Sequence, residues 1–68
     1  MDQDVLNMQI RRFLKKVGIQ SQQEIEKAVH KGIKSGLLVG DEKLHAEVLL
    51  RVSAVSIEVT IEGDIALS

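Results

Sequence analysis

The spacing of apolar side chains changes once along this chain, and that change limits the folds open to it. Up to residue 33 they recur every third or fourth position; from residue 44 they recur every second position. The first spacing matches an α-helix, at about 3.6 residues per turn, and the second matches the alternation of a half-buried strand. Leu6, Ile10, Phe13, Leu14 and Val17 line one helical face, and Ile25, Ala28, Val29 and Ile33 line the next. Leu44, Ala46, Val48, Leu50 and Val52 then alternate with His45, Glu47, Leu49 and Arg51. Val55, Ile57, Val59 and Ile61 alternate with Ser56, Glu58, Thr60 and Glu62. Helical segments followed by strands predict an α+β fold.

Punctuation residues set the expected boundaries. Asp4 or Asp2 is an N-cap, whose carboxylate accepts hydrogen bonds from free N–H groups of the first turn. Gly18 can adopt the left-handed conformation that ends a helix. Ser21-Gln22-Gln23-Glu24 has the form of a capping box, which starts a second helix. Gly36 is the expected helix-ending glycine, with Leu37 making the hydrophobic contact of a Schellman ending. These signals predict helices over 4–17 and 21–35. Gly40-Asp41-Glu42 reads as a turn, and strands follow over 44–52 and 55–67, with residues 53–54 between them. For 42–52 a helix competes, because Glu, Lys, Leu and Ala favour it; Leu50 and Val52 share a face only at a period of two. Gly63 marks a bulge, a bend or a turn into a short third strand. The expectation is one domain over 1–68: an N-terminal two-helix hairpin packed on a two- to three-stranded antiparallel sheet.

Composition narrows the function classes. The chain has no Cys, which excludes a disulfide framework and a Cys-based zinc site. Its longest apolar runs are three residues, Leu37-Leu38-Val39 and Val48-Leu49-Leu50, so no transmembrane helix or signal-peptide core is expected. A soluble, cytoplasmic domain without membrane contact is the expectation. Of the 68 residues, 44% are hydrophobic, yet Phe13 is the one aromatic. So small a chain has little interior, and leftover aliphatic surface favours pairing with a second copy. Met8, Leu38 and Leu49 fit a monomer core least well and are the candidate protein-contact residues. A sheet edge is the other expected route to self-association. A lone Phe cannot serve as the stacking platform of a single-stranded nucleic-acid binder.

Charge is unevenly distributed. Residues 1–34 hold seven basic and four acidic groups, net +3; residues 35–68 hold two and six, net −4. Such asymmetry marks a nucleic-acid face, helps two copies dock head to tail, or reflects two solvated faces. Val17-Gly18-Ile19-Gln20-Ser21 followed by Ile25 has the look of a helix-turn-helix, with the strands as a wing. On that alternative, Gln22 and Gln23 read bases while Arg11, Arg12, Lys15 and Lys16 meet phosphates. Three features count against it. Ile25 lies one residue too far from Gly18, Leu14 stands where the motif prefers a small residue, and Glu24 and Glu26 would face phosphates. Catalysis has no constellation: Ser21 is explained by capping, and Ser53 and Ser56 have no activating base. His30, four residues after Glu26, and His45 lack further ligands by spacing, so neither a metal nor another cofactor is expected. The glycines form no phosphate-binding pattern. The expectation is a non-enzymatic protein-interaction domain, with a winged-helix-like nucleic-acid binder as the alternative.

Phe13-Leu14-Lys15-Lys16-Val17-Gly18, Ser21 to Val29, Gly40-Asp41-Glu42 and Ile61-Glu62-Gly63-Asp64-Ile65-Ala66-Leu67 together resemble a small bacterial family of uncharacterised domains of about this length. The resemblance spans nearly the whole chain and rests on caps and strand patterns. It implies a bacterial, cytoplasmic, stand-alone domain. It brings no activity or cofactor, so no functional residue is carried over.

Overall fold

The computed structural model describes residues 1–68, and its contacts fall into two units, Met1–Leu37 and Leu38–Ser68. The element order is helix, strand, short 3₁₀ turn, strand, an α+β arrangement.

The first unit is built on one helix, α1, from Gln3 to Ser35. Asp2 is its N-cap: Oδ1 accepts from the N–H of Asp4 at 2.9 Å and of Val5 at 3.2 Å. That satisfies two of the four N–H groups an α-helix leaves free at its start. Gly36 closes the other end at φ 81°, donating its N–H to the Ile33 carbonyl at 3.2 Å. The expected Schellman contact is missing, because Leu37 is 80% exposed.

The expected break at Gly18 is absent, and with it the two-helix hairpin. Gly18 has no positive φ, and residues 17–25 are helical throughout. Glycine inside a helix costs about 1 kcal/mol relative to alanine. A break there would instead free up to four carbonyls and four N–H groups, with no Pro to force it. Continuity also keeps the apolar positions in register. Leu6, Ile10, Leu14, Val17, Ser21, Ile25, Ala28 and Gly32 recur at steps of four, four and three, a single line along one straight helix. The capping box does not form either. Ser21 sits mid-helix and half-buried, and Glu24 pairs with Lys27 at 3.8 Å.

The second unit is a β-hairpin. Strand β1, Lys43–Val52, pairs antiparallel with β2, Ile57–Ala66, and the sheet has these two strands only. The helix alternative for 42–52 is thereby set aside. Pairing is unbroken from Lys43↔Ala66 to Val52↔Ile57. Gly63 pairs regularly with Ala46, so it forms neither a bulge nor a third segment. Its missing side chain is tolerated because the ladder hydrogen bonds belong to the backbone. The turn is longer than residues 53–54. Ser53–Val55 form a 3₁₀ turn and Ser56 takes the left-handed conformation at φ 57°. Val55 and Ser56 therefore belong to the turn, and β2 starts at Ile57.

The turn between α1 and the first strand is held by one side chain. The Glu42 carboxylate accepts from the N–H of Val39 at 2.8 Å and of Gly40 at 2.9 Å. Gly40 has φ 115°, a backbone geometry that favours glycine. The Glu42 carbonyl then accepts from Leu67 N–H at 3.0 Å, extending the hairpin by one step.

Candidate functional site

The register places every even residue of β1 on one face. Leu44, Ala46, Val48, Leu50 and Val52 there oppose Ile65, Gly63, Ile61, Val59 and Ile57. This face has no polar side chain, and the β-branched residues on it suit a pleated surface. Ala46 and Gly63 form its one small pair, a shallow notch between Leu44–Ile65 and Val48–Ile61. On α1, the line from Leu6 to Gly32 forms a second apolar surface. No hydrophobic side chain of the chain is fully buried. Val48, Val52, Val59 and Ile61 on the hairpin, and Ile10, Phe13 and Leu14 on the helix, are all exposed.

The candidate protein-contact residues lie apart from these faces or at their margins. Met8 is 51% exposed and shares a minor line with Ile19, three turns on, off the main helical stripe. Leu49 is also 51% exposed and stands opposite Thr60 on the polar face of the hairpin. Leu38 is half-buried beside the turn that Glu42 holds. The larger apolar surface comes from residues that the sequence reading assigned to a core.

Of the basic group, Arg12, Lys15 and Lys16 line a shallow groove along α1 with Ile19, Gln23 and Glu24. Arg11 lies on the same helix and outside that groove. Gln22 donates to Glu26 Oε1 at 3.0 Å, which occupies its amide. The residues read as the corner of a helix-turn-helix lie inside a continuous helix, so Gln22 and Gln23 do not sit at a helix start.

Pairing also assembles a group that sequence spacing alone does not reveal. His45 stands opposite Asp64, and Glu47 opposite Glu62. His45 Nε2 is 3.0 Å from Glu62 Oε1 and 4.0 Å from Glu47 Oε2; its Nδ1 is 3.7 Å from Asp64 Oδ1. Ligand-type atoms of His45, Glu47 and Glu62 all lie within 4.8 Å of one another, on exposed side chains. The strand alternation was legible; the hairpin register that joins residues 45 and 62 depends on the length of the turn. Further along, Arg51 meets Glu58 across the strands at 3.2 Å. Exposed pairs of this kind are worth about 0–1 kcal/mol each, so the apolar face outweighs them energetically.

The Glu42 carboxyl is held below its ordinary range. Hydrogen bonds from the Val39 and then the Gly40 N–H stabilise the ionised carboxylate and lower its pKa. No helix is long and apolar enough to cross a membrane.

A family of unknown function, DUF6494, has a model that matches residues 1–68. The chain belongs to that family. No curated protein matches the chain, and neither does a solved structure. Membership in DUF6494 agrees with the resemblance read from the caps and strand patterns, and it brings no activity with it.

Proposed function

We propose that this chain is a non-enzymatic protein-interaction domain that works by pairing with a second copy of itself through its aliphatic faces. The observation that carries the reading is the absence of any fully buried hydrophobic side chain beside an apolar hairpin face and a mainly apolar helical line. An isolated two-stranded hairpin is at best marginally stable in water, and a helix draws most of its stability from packing an apolar face. Neither a disulfide nor a Cys-based metal site compensates, since the chain has no Cys. Contiguous exposed apolar patches on this scale mark interaction surfaces.

A second copy is the occupant that charge favours. Met1–Leu37 holds seven basic and four acidic groups, and Leu38–Ser68 holds two and six. Two copies therefore offer each other surfaces of opposite sign. Between the two routes to association, the face outweighs the edge. Burying one Leu, Ile or Val side chain stabilises by about 1.5–3 kcal/mol, against a net of about 0.5–1.5 kcal/mol for one edge hydrogen bond.

Sedimentation equilibrium over a micromolar range tests this. A dimer or higher assembly whose dissociation coincides with loss of secondary structure is the expected result. A folded, strictly monomeric chain overturns the proposal.

A further inference from the structure

We propose that α1 pairs antiparallel with α1 of a second copy, about a two-fold axis that passes between Val17 and Ser21. The proposal rests on the self-association reading and specifies its geometry.

The seam is the apolar line of α1. Its positions recur every eleven residues, Leu6 to Val17 to Ala28 and Ile10 to Ser21 to Gly32. Eleven residues over three turns give about 3.67 per turn, close to the natural helical repeat, so the line stays on one side of a nearly straight helix. From Leu6 to Gly32 it runs about 40 Å at roughly 1.5 Å per residue. Leu6, Ile10 and Leu14 on it, and Phe13 beside it, are exposed; Val17 and Ser21 are half-buried, and Gly32 is buried by its neighbours.

Side-chain size sets the direction. The N-terminal half of the line carries the large residues Leu6, Ile10, Phe13 and Leu14; the C-terminal half carries Ser21, Ala28 and Gly32 among Ile25 and Val29. A parallel pair would set Leu6 against Leu6 and Gly32 against Gly32, crowded at one end and hollow at the other. The antiparallel pair sets Leu6 against Gly32, Ile10 against Ala28, Phe13 against Ile25 and Val17 against Ser21. These four layers each join a larger residue to one no larger, which is how close-packed interiors fill, and Leu14 comes to the level of Glu24.

Charge points the same way. A parallel pair aligns Arg11, Arg12, Lys15 and Lys16 with their own copies and aligns the two helix dipoles. The antiparallel pair brings this basic segment to the level of residues 22–27, where Glu24 and Glu26 outnumber Lys27, and opposes the dipoles.

The chain has no Cys, so single cysteines report on this directly. Ile10→Cys and Ala28→Cys chains, mixed and mildly oxidised, are expected to join to each other. Ile10→Cys alone is expected not to join to itself, because its two copies lie about 27 Å apart along the axis. A second variant leaves the seam untouched: His30→Cys, at an exposed position, carries a spin label. Two labels are expected at least about 33 Å apart in the dimer, whereas a parallel pair sets them at one level. Self-joining of Ile10→Cys, or a dimer with label separation well below that value, overturns the antiparallel arrangement and leaves self-association standing. A chain that sediments as a monomer overturns both.

Discussion

The two units solve the same problem by different means. The helical unit makes its hydrogen bonds within one segment, as in Gln3 to Asn7 and Gln22 to Glu26, each four residues apart. The hairpin joins residues up to 25 apart, from Lys43 and Ala66 out to Glu42 and Leu67. The helix spreads its apolar side chains along a tapering line, while the hairpin gathers them onto one face without a polar side chain. Their net charges differ in sign as well, +3 against −4. Local order and long-range order fail differently. A helix loses a little at each poor residue, whereas a hairpin that loses its face loses its reason to pair.

The largest effect is expected on the hairpin. Leu50→Asp puts a charge on the hairpin's apolar face, and in the proposed assembly, where that face is covered, this costs roughly 2–4 kcal/mol. Thermal unfolding followed by circular dichroism is expected to lose its cooperativity, with the assembly falling apart. An unchanged melting curve would show that the hairpin face stays wet.

The next effect concerns how the helix ends. Gly36→Ala forces a side chain into the left-handed region at φ 81° and is expected to cost about 1 kcal/mol. Chemical denaturation measures it. A neutral result would mean that α1 ends differently in solution.

Gly18→Ala acts in the opposite sense. An added Cβ at Gly18 meets no atom within 4 Å, and the backbone there is helical. A gain of about 0.5–1 kcal/mol and of helical signal is expected. A loss would restore the corner between two helices and bring the two units closer in kind.

The smallest effect is expected in the turn between α1 and β1. Because the folded state lowers the Glu42 pKa, its contribution is present above the unfolded pKa and is lost as pH falls through the folded one. Glu42→Gln is expected to remove that acid-side dependence, as read from unfolding midpoints at a series of pH values. Dependence that survives the substitution would show that Glu42 does not carry it.

The contrast between units also marks how much of the molecule could be read beforehand. The N-cap region, the helix-ending glycine and the strand alternation were legible, since each depends on neighbours within a turn or two. The break expected at Gly18 was not found, because its local signals contend with the hydrogen bonds of a long helix. Ser53, Ala54 and Ser56 carry weak turn chemistry, so the start of β2 was set two residues early. That uncertainty hid the grouping of His45, Glu47 and Glu62, which needs the register to one residue. Leu49 and Met8 attracted notice as odd apolar residues, while the broader candidate surface lay in side chains whose spacing suited a core.

The order of residues by itself determined the two periodicities, an aspartate cap at Asp2 or Asp4 and the left-handed stop at Gly36, because each is set by the conformational preference of one residue and its nearest neighbours. Only the folded structure decided the helix through Gly18, the opposition of residues 45 and 64, and the exposure of the aliphatic faces. Those outcomes depend on differences of about a kilocalorie per mole summed over segments far apart in sequence, and no single residue carries such a sum.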